Sequence, residues 1–149
     1  MTEKENKPVR YTGIFRRLFA ISYDLFLLIA IYFIVSYGAI ALNNGRAINS
    51  DNPYYLHFVL LIVILSYLYF AWFWVNGGQT LGMRTWRMQL RTEAGEFLSW
   101  KLCAIRFITA IISWSALGLG FLWSLFDNKN RCWHDFASNA LLYDLRDKK

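Results

Sequence analysis

Charge is what long parts of this chain lack. No Asp, Glu, Lys or Arg occurs from Leu25 to Gly45, from Phe58 to Met83, or from Phe107 to Phe126. Each run reaches the roughly 18 to 20 residues that cross a bilayer core. The 149 residues are 17% charged, 56% hydrophobic and 19% aromatic. A soluble core with three such runs would lie far outside ordinary composition. The class is an integral membrane protein with a single domain.

Other absences narrow the function. The two cysteines, Cys103 and Cys132, fall near segments placed in the cytosol, where disulfides are disfavoured. Cys132-Trp-His134-Asp135 holds ligand-type residues without the spacing of a four-ligand metal site. No metal and no other cofactor is expected. The polar opening of the chain, with no small-residue cleavage site after the first apolar run, does not read as a signal peptide. Ser113 and Ser115 sit in apolar sequence with no nearby His, so no nucleophile–base–orienter set exists and no enzyme is expected. The net charge of +6 would suggest nucleic acid in a soluble protein. Here the cations flank membrane segments and face anionic headgroups, so no nucleic-acid partner is expected.

Asp24 is the exception inside the first apolar helix, in the stretch RRLFAISYDLFLL. Arg17 lies seven positions earlier. Seven residues return a helix to within about 20° of the same face and about 10 Å along its axis. A charged Asp in hydrocarbon costs about 2.5–3.5 kcal/mol. A partner cation, bound water or protonation must offset that cost. Arg106, early in the third apolar run, is the expected partner. An Arg at a helix entrance also anchors by snorkelling, which by itself accounts for Arg17.

Helix 1 is expected from Ile14 to about Leu42. Asn43–Tyr54, with Asn-Asn-Gly and Pro53, is a breaker. Helix 2 follows from Tyr55 to Val75, its end dense in Tyr and Trp, the side chains of an interfacial belt. Gly77-Gly78-Gln79-Thr80-Leu81-Gly82 allows tight turns, and without a following Lys-Ser/Thr it is not a P-loop. Residues 84–100 read as a short basic β-hairpin on the membrane surface, with Met88, Leu90 and Thr92 alternating with Gln89 and Arg91. An amphipathic interfacial helix is the alternative.

The positive-inside rule sets topology. Five Lys/Arg precede or include Arg17, only Arg46 lies in the first connection, and residues 84–106 carry five more. The N-terminus and second connection are therefore cytoplasmic. The tail also carries five, against four Asp. A single crossing by residues 102–126 would export those cations; a re-entrant hairpin turning near Ser113–Gly120 keeps them inside, which the charges favour. Asp127 and Asp135 read as a solvated turn and as the N-cap of a short helix. An exposed His134 would titrate near neutrality.

RRLFAISYDLFLL, GGQTLGMRTWRMQLRTEAGEFLSW and LGLGFLWSLFDNKNRCWHDFASNALL together resemble the RDD family of small bacterial membrane proteins, over roughly residues 10–145. The family is named for one Arg and two Asp. The resemblance maps these to Arg17, Asp24 and Asp135, with Asp127 in reserve. It adds Arg106, His134 and the loop residues Gly78, Gln79, Thr80 and Gly82. The chain departs at Met83, where the family often has Lys, and at Asn139-Ala140, where Gly-Thr is common. The resemblance implies a few membrane helices in the bacterial inner membrane. It implies either an assembly role, since relatives fuse this domain to other modules, or ion transport of the sodium–proton type.

The expected fold is an all-α membrane protein. It is a small transmembrane helical bundle with two spanning helices, a third apolar segment (re-entrant hairpin or single span) and a short cytoplasmic basic β-hairpin. Residues 1–13 are expected to be a flexible cytoplasmic N-terminus, 14–145 the membrane domain and 146–149 a charged tail. The expected function is a structural, assembly or subunit role built on an intramembrane Arg17–Asp24–Arg106–Asp135 network. The alternative is a small cation/proton transporter using Asp24. Expected partners are the bilayer, a second copy or another membrane protein and, for transport, monovalent cations and protons.

Overall fold

The structure is a computed structural model that describes residues 10–146. Most of the 1–13 segment and nearly all of the 146–149 tail lie outside the described residues. Where the N-terminal segment is described, it is tied down: Tyr11 forms an isolated antiparallel bridge with Tyr143, and Thr12 N–H donates to the Leu142 carbonyl at 2.9 Å.

Two long helices dominate, α1 (Ile14–Leu42) and α2 (Tyr55–Asn76). Both are long and apolar enough to cross a membrane. Their length follows from uninterrupted apolar sequence without Pro; Asn43, Asn44 and Gly45 end α1, the last two with positive φ of 54° and 76°. The buried residues of α1 are Ile14, Arg17, Ala20, Asp24 and Leu28. Their spacing of three and four residues draws one stripe along the helix, and both charged residues lie on it. The opposite face carries exposed Phe15, Phe26, Phe33 and Tyr37.

A small cap closes one end of the long helices. It starts with α3 (Leu81–Thr85) and β1 (Met88–Thr92). It ends with α6 (Trp133–Ala137) and β2 (Ala140–Asp144). β1 and β2 are antiparallel, with Met88 opposite Asp144, Leu90 opposite Leu142 and Thr92 opposite Ala140. This corrects the expected hairpin within 84–100. The chain does reverse after Thr92, where Thr92 N–H donates to Glu96 O at 2.8 Å. The returning residues then lead into Ser99, whose side chain caps the next helix. The apolar edge that Met88 and Leu90 need comes from Ala140, Leu141 and Leu142, all buried. The core of the cap joins these strands to Ala20, Ala71, Trp74, Leu98 and Cys103.

The third apolar stretch is bent. α4 (Trp100–Ser115) is followed by α5 (Leu119–Leu122) and a 3-10 turn, Trp123–Leu125. The two parts meet at 108°, as in a broken span or a re-entrant loop. Leu117 and Gly118 make the bend with φ of 54° and 77°, within the Ser113–Gly120 window where a turn was expected. α1 packs on α3, while α4 packs on α6 and α2. The cap therefore reaches α1 and α4 by different elements.

Candidate functional site

Two buried polar centres form where the cap meets the helices, and they share no direct hydrogen bond. The first is built on Asp135. Its carboxylate accepts from Arg17 Nη1 at 2.5 Å and from Arg106 Nη1. It also accepts from the Cys132 backbone N–H at 2.9 Å. Cys132, not Asp135, is the N-cap of α6; Asp135 is the third helical residue, reaching back to the cap backbone. This corrects the N-cap expectation for Asp135, and the cause is that α6 begins one residue after Cys132. Asp135 is fully buried, with Arg17 and Arg106 at 4% and 3% exposure.

Arg17 spends all its donor nitrogens on protein. Besides Asp135, Nη1 reaches Cys132 Sγ at 3.4 Å, Nε reaches Thr12 O at 3.2 Å and Nη2 reaches Asn130 O at 2.7 Å. The Arg106 guanidinium stacks 5.1 Å from the Trp74 ring centre. Burial alone would raise the Asp135 carboxyl, but Arg17 and Arg106 beside it hold it far below the usual carboxylate range. Burial, and then Arg106, push His134 down to about 3. The condition for a His134 titrating near neutrality, exposure, is not met: its ring lies against Phe121, centroids 4.9 Å apart, and is buried.

The second centre is Asp24. Tyr69 OH donates to it at 2.9 Å, Thr80 Oγ1–H at 2.5 Å and Gly82 N–H at 2.9 Å. Among the described residues its partners are neutral donors. The expected Asp24–Arg106 pair is corrected: Arg106 turns to Asp135 on α6, while the Gly78–Gly82 loop delivers its own donors to Asp24. Thr80 is central here. Its hydroxyl donates to Asp24 and accepts from Met83 N–H at 3.2 Å, so it caps α3 and fixes the carboxylate together. Gly82 must be small: a Cβ there would stand 2.1 Å from Ala20 O and 2.9 Å from Asp24 Oδ2. Gln79 donates to Met88 O at 2.6 Å and Leu90 N–H to Gly78 O at 2.7 Å, which fastens the loop to β1.

Asp127 stands apart from both centres and takes no part in the intramembrane cluster; it lies in a turn, as its sequence context suggests. It accepts from Arg131 side-chain and backbone N–H and from Lys129 N–H, closing the 127–131 turn. Arg16 and Asp144 pair at 2.5 Å, tying the first turn of α1 to the end of β2. Nothing in the sequence near Asp144 singled it out. Tyr69 and Trp74 were also missed, because a dense aromatic stretch reads as an interfacial belt; only the structure shows that Tyr69 meets Asp24 and Trp74 meets Arg106.

Cys132, His134 and Asp135 bring possible ligand atoms within 4.8 Å of one another. The set does not fit a cation. Arg17 already donates to the thiol and the carboxylate, Arg106 takes the other oxygen, and burial pushes the Cys132 thiol up to about 11. Arg17, Asp24, Arg106 and His134 instead border a cavity of about 200 Å3 between α1, α2 and α4.

Two apolar helices, a bent third segment and a buried Arg–Asp cluster under a small cap define a compact helical membrane protein. The chain belongs to the RDD family, whose model matches residues 11–139. No curated protein and no solved structure matched the chain.

Proposed function

We propose that this chain is a membrane-embedded structural or assembly subunit rather than an enzyme. Its buried ionic cluster locks a cytoplasmic cap onto the membrane helices, and its partner is a second copy or another membrane protein. One observation carries the reading: the Asp135 carboxylate is shared by Arg17 of α1 and Arg106 of α4, with all three side chains buried. A single short helix thereby ties α1 to α4. Every nitrogen of Arg17 is engaged by protein, as suits a permanent tie. With the cap cytoplasmic, Arg84, Arg87 and Arg91 sit on the side the positive-inside rule assigns to Lys and Arg. The 108° bend then serves as a re-entrant turn that returns α6 and β2 to that side. The membrane is the bacterial inner membrane.

The test is assembly. Asp135→Asn and Asp24→Asn are compared for membrane abundance, melting temperature and oligomer size in detergent. The structural reading predicts that Asp135→Asn lowers all three. Normal assembly of Asp135→Asn would contradict it.

One specific observation favours a second reading, cation/proton exchange: Asp24 lines the cavity and, among the described residues, is held by neutral donors. In that reading Asp24 carries the exchanged proton or monovalent cation, and Asp24→Asn abolishes flux without harming assembly.

A further inference from the structure

The cavity beside the two centres has a polar end and an apolar end. Arg106 and His134 border it at the cap. Phe107, Ala110, Ile111 and Trp114, on the next two turns of α4, give it an apolar wall. Ile111 and Trp114 are 47% and 59% exposed on the apolar surface of α4. Both lining residues are thus shared between the cavity and the exposed apolar surface of α4, the route by which an apolar chain would enter.

The polar end is not saturated. Arg106 is 3% exposed, and its Nε has no hydrogen-bond partner among the described residues. A buried guanidinium N–H without an acceptor is costly. Arg17 and Arg106 meet at the single carboxylate of Asp135, and the other carboxylate on the cavity, Asp24, lies about 10 Å further along α1 than Arg17. One charge-assisted hydrogen bond to a carboxylate or phosphate oxygen would satisfy the Arg106 Nε–H after a small shift of the side chains that cover it.

We infer that this cavity binds a single-chain anionic amphiphile, with its carboxylate or phosphate oxygen on Arg106 Nε and its acyl chain along Phe107, Ala110 and Ile111. The site goes beyond the structural reading and does not depend on it, since the cavity is present whether the Arg–Asp cluster ties helices or serves transport. The bound head would add an acceptor to the cluster, so occupancy would stiffen the contact between α4 and the cap.

The test uses the full chain in neutral detergent and the fluorescence of its tryptophans, two of which, Trp74 and Trp114, border the cavity. A dibrominated fatty acid and a dibrominated lysophosphatidic acid serve as quenching ligands. The dibrominated fatty-acid methyl ester is the uncharged control. Saturable quenching is expected from at least one acid, with at least tenfold weaker binding of the ester. Whichever acid binds more tightly identifies the head. Ile111→Trp narrows the cavity from a half-exposed position and should weaken binding at least tenfold while the melting temperature is retained. If that variant does not fold, Phe107→Ala removes a wall of the proposed chain site and carries the same expectation of weaker binding. Equal binding of acid and ester would overturn the oxyanion assignment. Unchanged affinity in a folded Ile111→Trp or Phe107→Ala variant would overturn the location. Displacement of the probe by inorganic phosphate alone would overturn the acyl-chain requirement.

Discussion

Asp135 accepts a hydrogen bond at 2.5 Å from Arg17, a residue 118 positions earlier in the chain. The pair joins the first turns of α1 to a five-residue helix near the end of the described chain. With Arg106 on the other carboxylate oxygen, it forms a buried ion triad. Such a triad is weak evidence of net stability, but breaking it from one side is expensive, because the remaining charges stay buried and unpaired.

Asp135→Asn is therefore expected to cost about 3–5 kcal/mol, read as a lower melting temperature and reduced membrane abundance. Replacing Arg17, Asp135 and Arg106 together by Met, Leu and Met should recover much of that loss, because it removes the uncompensated charges. Thermal unfolding of the single and triple variants in detergent checks both statements. A triple variant less stable than Asp135→Asn would mean that the charges contribute more than their own mutual satisfaction.

Asp24 should respond differently. An amide keeps an acceptor for Tyr69 and Gly82, and Thr80 can turn its hydroxyl to accept. Asp24→Asn is expected to be mild, within about 1 kcal/mol. Asp24→Leu leaves the Tyr69, Thr80 and Gly82 donors without an acceptor and is expected to cost several times more, at about 1–3 kcal/mol for each orphaned group. A double-mutant cycle between Asp24 and Arg106, which share no hydrogen bond, should give a smaller coupling than one between Arg17 and Asp135, which should exceed about 1 kcal/mol.

Gly82→Ala is expected to open the contact between α1 and α3. Its Cβ would meet backbone Ala20 O at 2.1 Å, and backbone cannot swing aside as a flexible side chain can. The predicted readout is a loss of stability comparable to overpacking, about 1–3 kcal/mol. Protease sensitivity of the Gly77–Thr85 segment should rise with it.

His134 sets a pH dependence. Its folded-state value is pushed down to about 3 by burial and by Arg106, while an unfolded His titrates near about 6.5. The unfolded chain takes the proton first, so the contribution of neutral His134 is complete above about pH 6.5 and is lost as pH falls towards 3. The melting temperature should fall on acidification from pH 7 to 5, and His134→Gln should flatten that slope. Asp135 works in the same direction only at lower pH, below the ordinary carboxylate range.

The sequence made the long helices legible because apolar runs without charge have few alternatives. The shared face of Arg17 and Asp24 was legible for the same reason: helical periodicity fixes it. Which cation met which carboxylate was not legible. Spacing places Asp24 and Arg106 on membrane helices, but the partner of Arg106 comes from α6, and the donors to Asp24 come from the loop at Thr80 and Gly82 and from Tyr69. These are non-local contacts between short elements whose placement depends on packing. The β1–β2 pairing was hidden likewise. Residues 84–100 contain their own turn, and only the buried Ala140–Leu142 edge explains why β1 pairs elsewhere.

If the Arg17–Asp135–Arg106 cluster and the Asp24 centre hold the cap on the helices rather than move ions, flux through purified protein should show it. The protein is reconstituted in liposomes loaded with a pH-sensitive dye. A proton gradient is imposed and sodium, potassium or lithium is added outside, for wild type and Asp24→Asn in parallel. A structural tie predicts no cation-dependent dye response from well-folded wild type. A cation-dependent response in wild type that disappears in a normally assembled Asp24→Asn variant would contradict it and make Asp24 the centre of a transporter.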